Sequence, residues 1–226
     1  MTKINFIDVG CSGYMPGPWS IDKFGRYIDN IVGFDLLKNE LNYLDEEFPN
    51  NKIYNNVVFD KEISRSFYIC KRSRVSGLFK PNIPVLIPYI EILNKIRKPK
   101  IYNISKYDVE KIEKVKCIRL DTIIDELNID FDFLKTDTEG ADYQVIKSLG
   151  EYLTKQVVGI HTELYFKKMY KGIVLFDEVN DFLTNNGFYQ FKQVGGVEDY
   201  WGNFLYIRED KKKKKENRLN KKSLSK

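Results

Sequence analysis

Residues 129–166 constrain the fold of this chain more than any other stretch, because they spell a complete strand, helix, strand unit. Phe131, Phe133 and Leu134 make residues 131–135 mostly apolar. The run stops at Thr136-Asp137-Thr138-Glu139-Gly140, whose polar residues suit a turn better than continued pairing. From Ala141 the period changes to that of a helix: Ala141, Val145, Ile146 and Leu149 share one stripe, while Asp142, Gln144, Lys147 and Ser148 take the other face. Gly150 is positioned to stop that helix. Val157, Val158, Ile160 and Thr162 then make residues 157–164 a second buried strand. A strand, a covering helix and a strand joined in this way form a right-handed parallel crossover, whose strands end on the same edge. Asp137 and Glu139 are therefore predicted to cluster with His161 and Glu163 at the carboxyl edge, where open α/β sheets bind ligands.

Each member of this cluster also has an ordinary structural reading. A carboxylate in the first turn of a helix is favoured by the helix dipole alone, by a few tenths to about 1 kcal/mol, which would make Glu139 a capping charge. Asp137 and Glu163 are harder to explain that way. Two acids brought together out of water raise at least one pKa unless a cation or a hydrogen-bond donor lies between them, and a cationic ligand would supply one. His161, the only histidine in the chain, alternates onto the Glu163 face, where both a structural role and that of a base fit.

The rest of the chain surrounds this unit with similar pieces. Residues 4–9 read as an interior parallel strand, followed at once by Gly10-Cys11-Ser12-Gly13. Such a loop lets backbone N–H groups approach a ligand, although Ser12 stands where a dinucleotide fingerprint would have its second glycine. A helix is predicted over 19–27, and a strand over 31–35 ends on Asp35, an acid suited to the two hydroxyls of a ribose. Residues 36–48 read as a helix, 53–59 as a third strand ending at Asp60, and 65–71 as its antiparallel continuation. Residues 71–88, with Arg72, Arg74, Ser76, Gly77 and three prolines, read as an irregular lid on the substrate side. A short helix over 90–96 follows, then a strand over 115–120 and a helix over 122–127 capped by Asp121. An amphipathic helix over 176–186 and strands over 188–194 and 203–208 close the chain.

Size and charge narrow the possibilities. A chain of 226 residues with 42% hydrophobic and 14% aromatic residues is expected to be one globular domain. No run approaches 18 apolar residues, and Met1 leads almost directly into a strand, so neither a membrane span nor a signal peptide is expected. Three widely spaced cysteines (Cys11, Cys70, Cys117) offer no metal-ligand pair and fit a cytoplasmic setting. The net charge of +5 comes from residues 209–226, where nine basic residues face three acidic ones. The expected organisation is thus a domain over 1–208 and a Lys-rich disordered tail over 209–226, whose other use would be contact with an anionic surface. A nucleic-acid partner is not expected, because the body lacks a basic groove.

Two stretches also point to a family. Ile7-Asp8-Val9-Gly10 with Phe34-Asp35, and above all residues 129–142 with Val145-Ile146-Lys147, resemble the FkbM family of S-adenosylmethionine-dependent methyltransferases, and the resemblance runs in order over residues 4–207. It implies an α/β, Rossmann-like class I methyltransferase fold, a mostly parallel seven-stranded sheet with helices on both faces and an antiparallel C-terminal hairpin. It also implies methyl transfer from S-adenosylmethionine, usually to a hydroxyl of a sugar, glycan or small metabolite. Carried over to this chain, Asp8, Gly10, Ser12 and Gly13 would form the cofactor loop, Asp35 would hold the ribose and Asp60 would lie beside the adenine. Asp137 and Glu139 would sit near the methionine end and the acceptor, and Tyr170 belongs to the matched pattern; with Arg74 and Ser76 of the irregular lid it is expected on the acceptor. The first loop departs from the family pattern at Cys11-Ser12 and by an insertion at 15–18; Thr136, Thr138 and Asp142 are milder departures.

The implied chemistry needs placement first, which can supply roughly 7 to 11 kcal/mol of a barrier. A sugar hydroxyl also wants a base, worth about 10² to 10⁴ in rate, and Asp137 or Glu163 is the first choice, with His161 next. A divalent ion such as magnesium on the same acids is the other way to activate the hydroxyl. Two further readings share parts of the pattern: a non-catalytic binding module that keeps the sheet, and an NAD-dependent oxidoreductase, in which the Asp137 to Ala141 motif has no place.

Overall fold

The structure, a computed structural model, describes residues 4–11, 23, 25–37, 51–97, 101–128 and 131–208. Ser12, Gly13, the body of the helix expected over 19–27, almost all of that expected over 36–48, and the 209–226 tail lie outside the described residues.

Seven strands form the main sheet: β1 (Ile4–Val9), β2 (Ile28–Phe34), β3 (Asn51–Tyr54), β7 (Phe133–Thr136), β8 (Gly159–Tyr165), β9 (Phe188–Val197) and β10 (Trp201–Arg208). Their order is β3-β2-β1-β7-β8-β10-β9. β1, β2, β3, β7 and β8 are mutually parallel, and β10 runs antiparallel to both β8 and β9, so the mostly parallel sheet with a C-terminal hairpin is as expected. Alternation along the central strands explains why they sit inside. Ile7, Val9 and Leu134 pack into one apolar cluster, while Phe6 and Phe133 turn to the other face and stack at 5.7 Å.

The expected helix after β7 is α3 (Asp142–Lys147), and its stripe of Ala141, Val145, Ile146 and Leu149 is buried. Gly150 ends it at φ +53°, a left-handed conformation that glycine adopts readily, and a second short helix, α4 (Tyr152–Lys155), carries the chain to β8. On the same face, α5 (Phe176–Asn185) adds Val179 and Leu183 to the cluster.

Residues 57–118 depart from the sequence reading. The strand expected over 53–59 breaks at Asn55-Asn56, and its second half, β4 (Val57–Val58), leaves the main sheet for a three-stranded one of order β4-β6-β5. β5 (Ser64–Cys70) is therefore paired with β6 (Val109–Ile118), not hung from the third strand. β6 also begins six residues before the predicted start, because Glu110, Lys111, Glu113 and Lys114 lie on its exposed stretch and conceal it. The lid expected over 71–88 ends early in a helix, α1 (Ile83–Ile96), where a helix over 90–96 was predicted. Pro84 is tolerated in a first turn; Pro88, inside the helix, is worth about 3 kcal/mol against it. Burial of Leu86, Tyr89, Ile90 and Leu93 along one face offsets that loss. The helix α2 (Leu120–Leu127) returns the chain to β7. No helix among the described residues is long and apolar enough to cross a membrane.

Candidate functional site

The site begins where β1 stops. Gly10 has φ +77°, and a Cβ there would lie 1.9 Å from the Asp137 carbonyl oxygen, so only glycine lets the end of β1 close on the end of β7. The Gly10 N–H donates to the Phe34 carbonyl at 2.9 Å and the Asp137 N–H to Val9 at 3.0 Å, which binds three strand ends into one edge. Asp35 is held beside them, its N–H donating to Tyr54 and its Oδ1 accepting from the Leu37 N–H at 2.8 Å. Gly10, Asp35, Asp137 and Glu139 line one cavity together with an apolar side of Phe34, Leu36, Val57, Val58, Phe67 and Leu78 and a polar rim that includes Arg74 and Ser76.

The turn after β7 is shaped by one buried acid. Asp142 accepts from Thr136 Oγ1 at 2.9 Å, from the Thr138 N–H at 3.3 Å and from the Gly140 N–H at 3.3 Å. Burial and the nearby Asp137 push its carboxyl up to about 7. So fastened, the turn carries Glu139 at φ +55° and Gly140 at φ +100°, and the left-handed Glu139 is the kind of outlier that costs of order 1 to 3 kcal/mol. Its side chain accepts from Tyr170, in the segment that follows β8, while Tyr165 at the end of β8 donates to Glu163. Asp137, Glu139 and Glu163 each bring a carboxylate oxygen within 4.8 Å of the others. Burial, then Asp137, push Glu139 up to about 8; burial, then Asp137 and Glu139, raise Glu163 well above the carboxylate range. The cluster thus holds protons near neutral pH and gains from any cation placed among its members.

One layer beneath lies an ion pair. Lys135, 4% exposed, contacts Asp8 Oδ1 at 2.8 Å and donates to the Gly10 carbonyl at 3.1 Å. Burial works against its charge, but Asp8 and then Asp137 outweigh burial and raise its pKa. Asp8, Lys135 and His161 are register partners across β1, β7 and β8. Burial, then Lys135, push the imidazole down to about 3.

A second cavity shares Gly10, Arg74, Asp137 and Glu139 with the first and adds Glu163, Tyr165, Arg72, Arg97 and Lys106. Tyr89, Tyr107 and Trp201 complete much of its wall, with Trp201 Nε1 donating to the Tyr89 hydroxyl at 2.9 Å. Lys106 sits over the Tyr107 ring at 4.7 Å, and burial, then Arg72, push its amine down to about 8.

Set against the sequence reading, Gly10, Asp35, Asp137, Glu139, Glu163, Arg74 and Ser76 all line these two cavities. Four residues stand elsewhere. His161 lines neither cavity; alternation gives it the Glu163 face, but its ring stays buried beside Lys135. Asp60 lines neither, because the break at Asn55-Asn56 brings Val57 and Val58 to the cavity while Asp60 faces Lys147 at 3.6 Å and accepts from Arg119 through its carbonyl. Asp8 acts through Lys135 without reaching a cavity surface. Tyr170, 1% exposed, meets the cavity only through Glu139. Ser76 also has a structural partner, accepting from the Cys70 N–H at 2.9 Å. The sequence reading missed Lys135, although a lysine within an apolar strand needs a buried acid, and Asp8 on the neighbouring strand was the signal. Tyr165 was likewise readable, two residues after Glu163 on the same face.

Residues 46–189, well over half of the chain, match the family model described as methyltransferase FkbM domain. Comparison with curated proteins returned no match. Among solved structures, a ribosomal protein methylase from Lactobacillus delbrueckii is similar over 92% of this chain and 71% of its own, with 8% identity and a TM-score of 0.45. A magnesium protoporphyrin IX methyltransferase from Synechocystis, with S-adenosylmethionine bound, is similar over 92% and 71%, with 9% identity and a TM-score of 0.42. A TehB-like methyltransferase from Corynebacterium glutamicum covers 92% and 82%, with 8% identity and a TM-score of 0.39.

Proposed function

The chain belongs to the FkbM methyltransferase domain family, and from that premise we propose that it moves a methyl group from S-adenosylmethionine to a hydroxyl oxygen of a sugar, glycan or small metabolite. The observation that carries this reading is that Asp35 and Asp137, from the ends of β2 and β7, border one cavity. The residues fit such a donor. The slot of Phe34, Leu36, Val58 and Leu78 suits a purine, Asp35 suits a pair of ribose hydroxyls, and the three acids suit a sulfonium.

Bound there, the donor supplies an electrophilic methyl on a positively charged sulfur, which departs as a neutral thioether when the acceptor oxygen takes the methyl. The chain's own part is to hold, to desolvate and to take one proton. Gly10 keeps the backbone close, and the apolar slot excludes water from the flat part of the ligand. Asp137 or Glu163 takes the proton of the acceptor hydroxyl, and Tyr165 fixes the Glu163 carboxylate for that purpose. His161 is the lesser choice, since it lines neither cavity. A cation among the acids lowers their pKa values, so the base is generated when the donor arrives.

Calorimetry with S-adenosylmethionine and with NADH tests the cofactor: the first binds and the second does not. No heat with S-adenosylmethionine would sink the proposal, and binding without radiolabelled methyl transfer to any hydroxylated acceptor would favour a non-catalytic module. A magnesium ion on Asp137, Glu139 and Glu163 is the competing occupant. If turnover collapses with chelator and returns with magnesium, metal activation replaces simple proton transfer. Removing residues 209–226 is expected to leave transfer to a small acceptor unchanged, as a tail tethering the enzyme to an anionic surface would.

A further inference from the structure

Resting on the donor assignment above, we propose that the methyl acceptor is a phosphorylated small molecule whose phosphate or pyrophosphate group sits against Arg72, Arg97 and Lys106 while its hydroxyl faces Asp137 and Glu163. The three cations come from separate segments. Arg72 precedes the 3-10 turn Ser73–Val75, Arg97 caps the end of α1, and Lys106 lies in the 3-10 turn Ile104–Tyr107. They nevertheless border one cavity, the one that also holds the acid cluster. Among the described residues none of the three forms an ion pair with an acid. Like charges gathered on one wall repel, and an anion between them removes that repulsion.

The wall is built before any ligand arrives. The Arg72 N–H donates to the Lys106 carbonyl at 3.1 Å, and the Lys71 N–H to Asp108 at 2.9 Å. Asn94, near the end of α1, donates to the Tyr102 carbonyl at 2.9 Å and accepts from its N–H at 2.6 Å, which holds the arm bearing Arg97 to the segment bearing Lys106. Tyr102 and Tyr107 pack under the Lys106 ammonium at 5.4 and 4.7 Å. Guanidinium groups match phosphate oxygens in pairs, and an ammonium adds a point charge; three cations suit a dianion better than a single carboxylate. A neutral acceptor would leave the half-buried Lys106 without an anionic partner once water is displaced from it. A cavity with acids at its other wall also suits a small molecule and not a nucleic-acid strand, which tracks a continuous basic groove.

The test uses the full chain saturated with S-adenosylhomocysteine, with inorganic pyrophosphate as probe and glucose 1-phosphate against glucose as the second pair. Pyrophosphate is expected to bind saturably, glucose 1-phosphate at least about tenfold tighter than glucose, and each to weaken at least about tenfold in Arg97→Gln and in Lys106→Met, with Lys95→Gln as an exposed control. S-adenosylmethionine affinity is measured in every variant. Failure of the wild type to bind that donor sinks the cofactor reading; failure to bind pyrophosphate with donor binding intact sinks this proposal alone. A variant that loses donor affinity would assign the cations to the donor's own carboxylate and overturn it, as would a short single-stranded RNA binding as tightly as glucose 1-phosphate. Should either variant misfold, the wild-type comparison of pyrophosphate, glucose 1-phosphate and glucose still decides.

Discussion

The centre of the main sheet and residues 57–118 are built by opposite strategies. β1, β7 and β8 are mostly buried, and the two opposite charges they carry inside, Asp8 and Lys135, are paired with one another. Residues 57–118 form a small sheet and one helix around a separate apolar cluster, and they bring Arg72, Arg97, Lys106, Tyr89 and Tyr107 to the cavity. Under the proposed function, the first region would set where a ligand lies and the second which ligand is accepted. Stability should therefore be concentrated in one and recognition in the other.

The largest effect expected is on the sheet. Lys135→Met strands a fully buried Asp8 and should cost about 3 to 5 kcal/mol in chemical denaturation, whereas Asp8→Asn combined with Lys135→Met should recover most of it. If the single variant were as stable as the parent, the contrast between the regions would fail. Gly10→Ala comes next, since its φ of +77° and the Asp137 carbonyl both oppose a side chain; a loss of about 1 to 3 kcal/mol is expected from strain alone, together with loss of donor binding by calorimetry. Tyr170→Phe sits on the border of the two regions. It removes the hydroxyl that supports Glu139, should destabilise by about 1 to 3 kcal/mol, and should move the pH dependence of donor binding upward.

A pH titration sharpens the contrast without a mutation. In the folded protein Glu139 keeps its proton up to about pH 8, whereas unfolded it loses it near 4.5. Between those values the folded state binds more protons, so stability is full below the lower one and falls as pH rises through the upper one. Melting followed from pH 5 to 8 should show that decline, and saturating S-adenosylmethionine should flatten it because a cation lowers the folded pKa. Donor affinity should rise over the same range, while neutral S-adenosylhomocysteine should respond less. The smallest effect on stability is expected for Arg97→Gln, within about 0.5 kcal/mol by melting, because the residue is exposed at the cavity rim.

The same contrast explains what could be read in the chain alone. The unit from β7 to β8 declared itself because its stripe of Val145, Ile146 and Leu149 has one period and its burial one direction. Asp35, Asp137, Glu139 and Glu163 followed from topology, which sends parallel strands out at a common edge. Residues 57–118 resisted for local reasons. Pro84 and Pro88 disguised α1 as a loop, charges on the open half of β6 hid a strand, and Asn55-Asn56 split another between two sheets. Asp60, beyond that break, in consequence lines neither cavity. Arg97, Lys106 and Trp201 carried no local pattern at all, since only the packing of three remote segments brings them to one cavity.

Trp201 opens β10, yet its indole N–H reaches the Tyr89 hydroxyl on α1. The final hairpin is therefore a latch across the molecule, fastening residues 57–118 to a strand supplied more than a hundred positions later. Grafting residues 57–118 onto a foreign scaffold would carry the hook without its eye, so a transplanted specificity must bring that tryptophan with it.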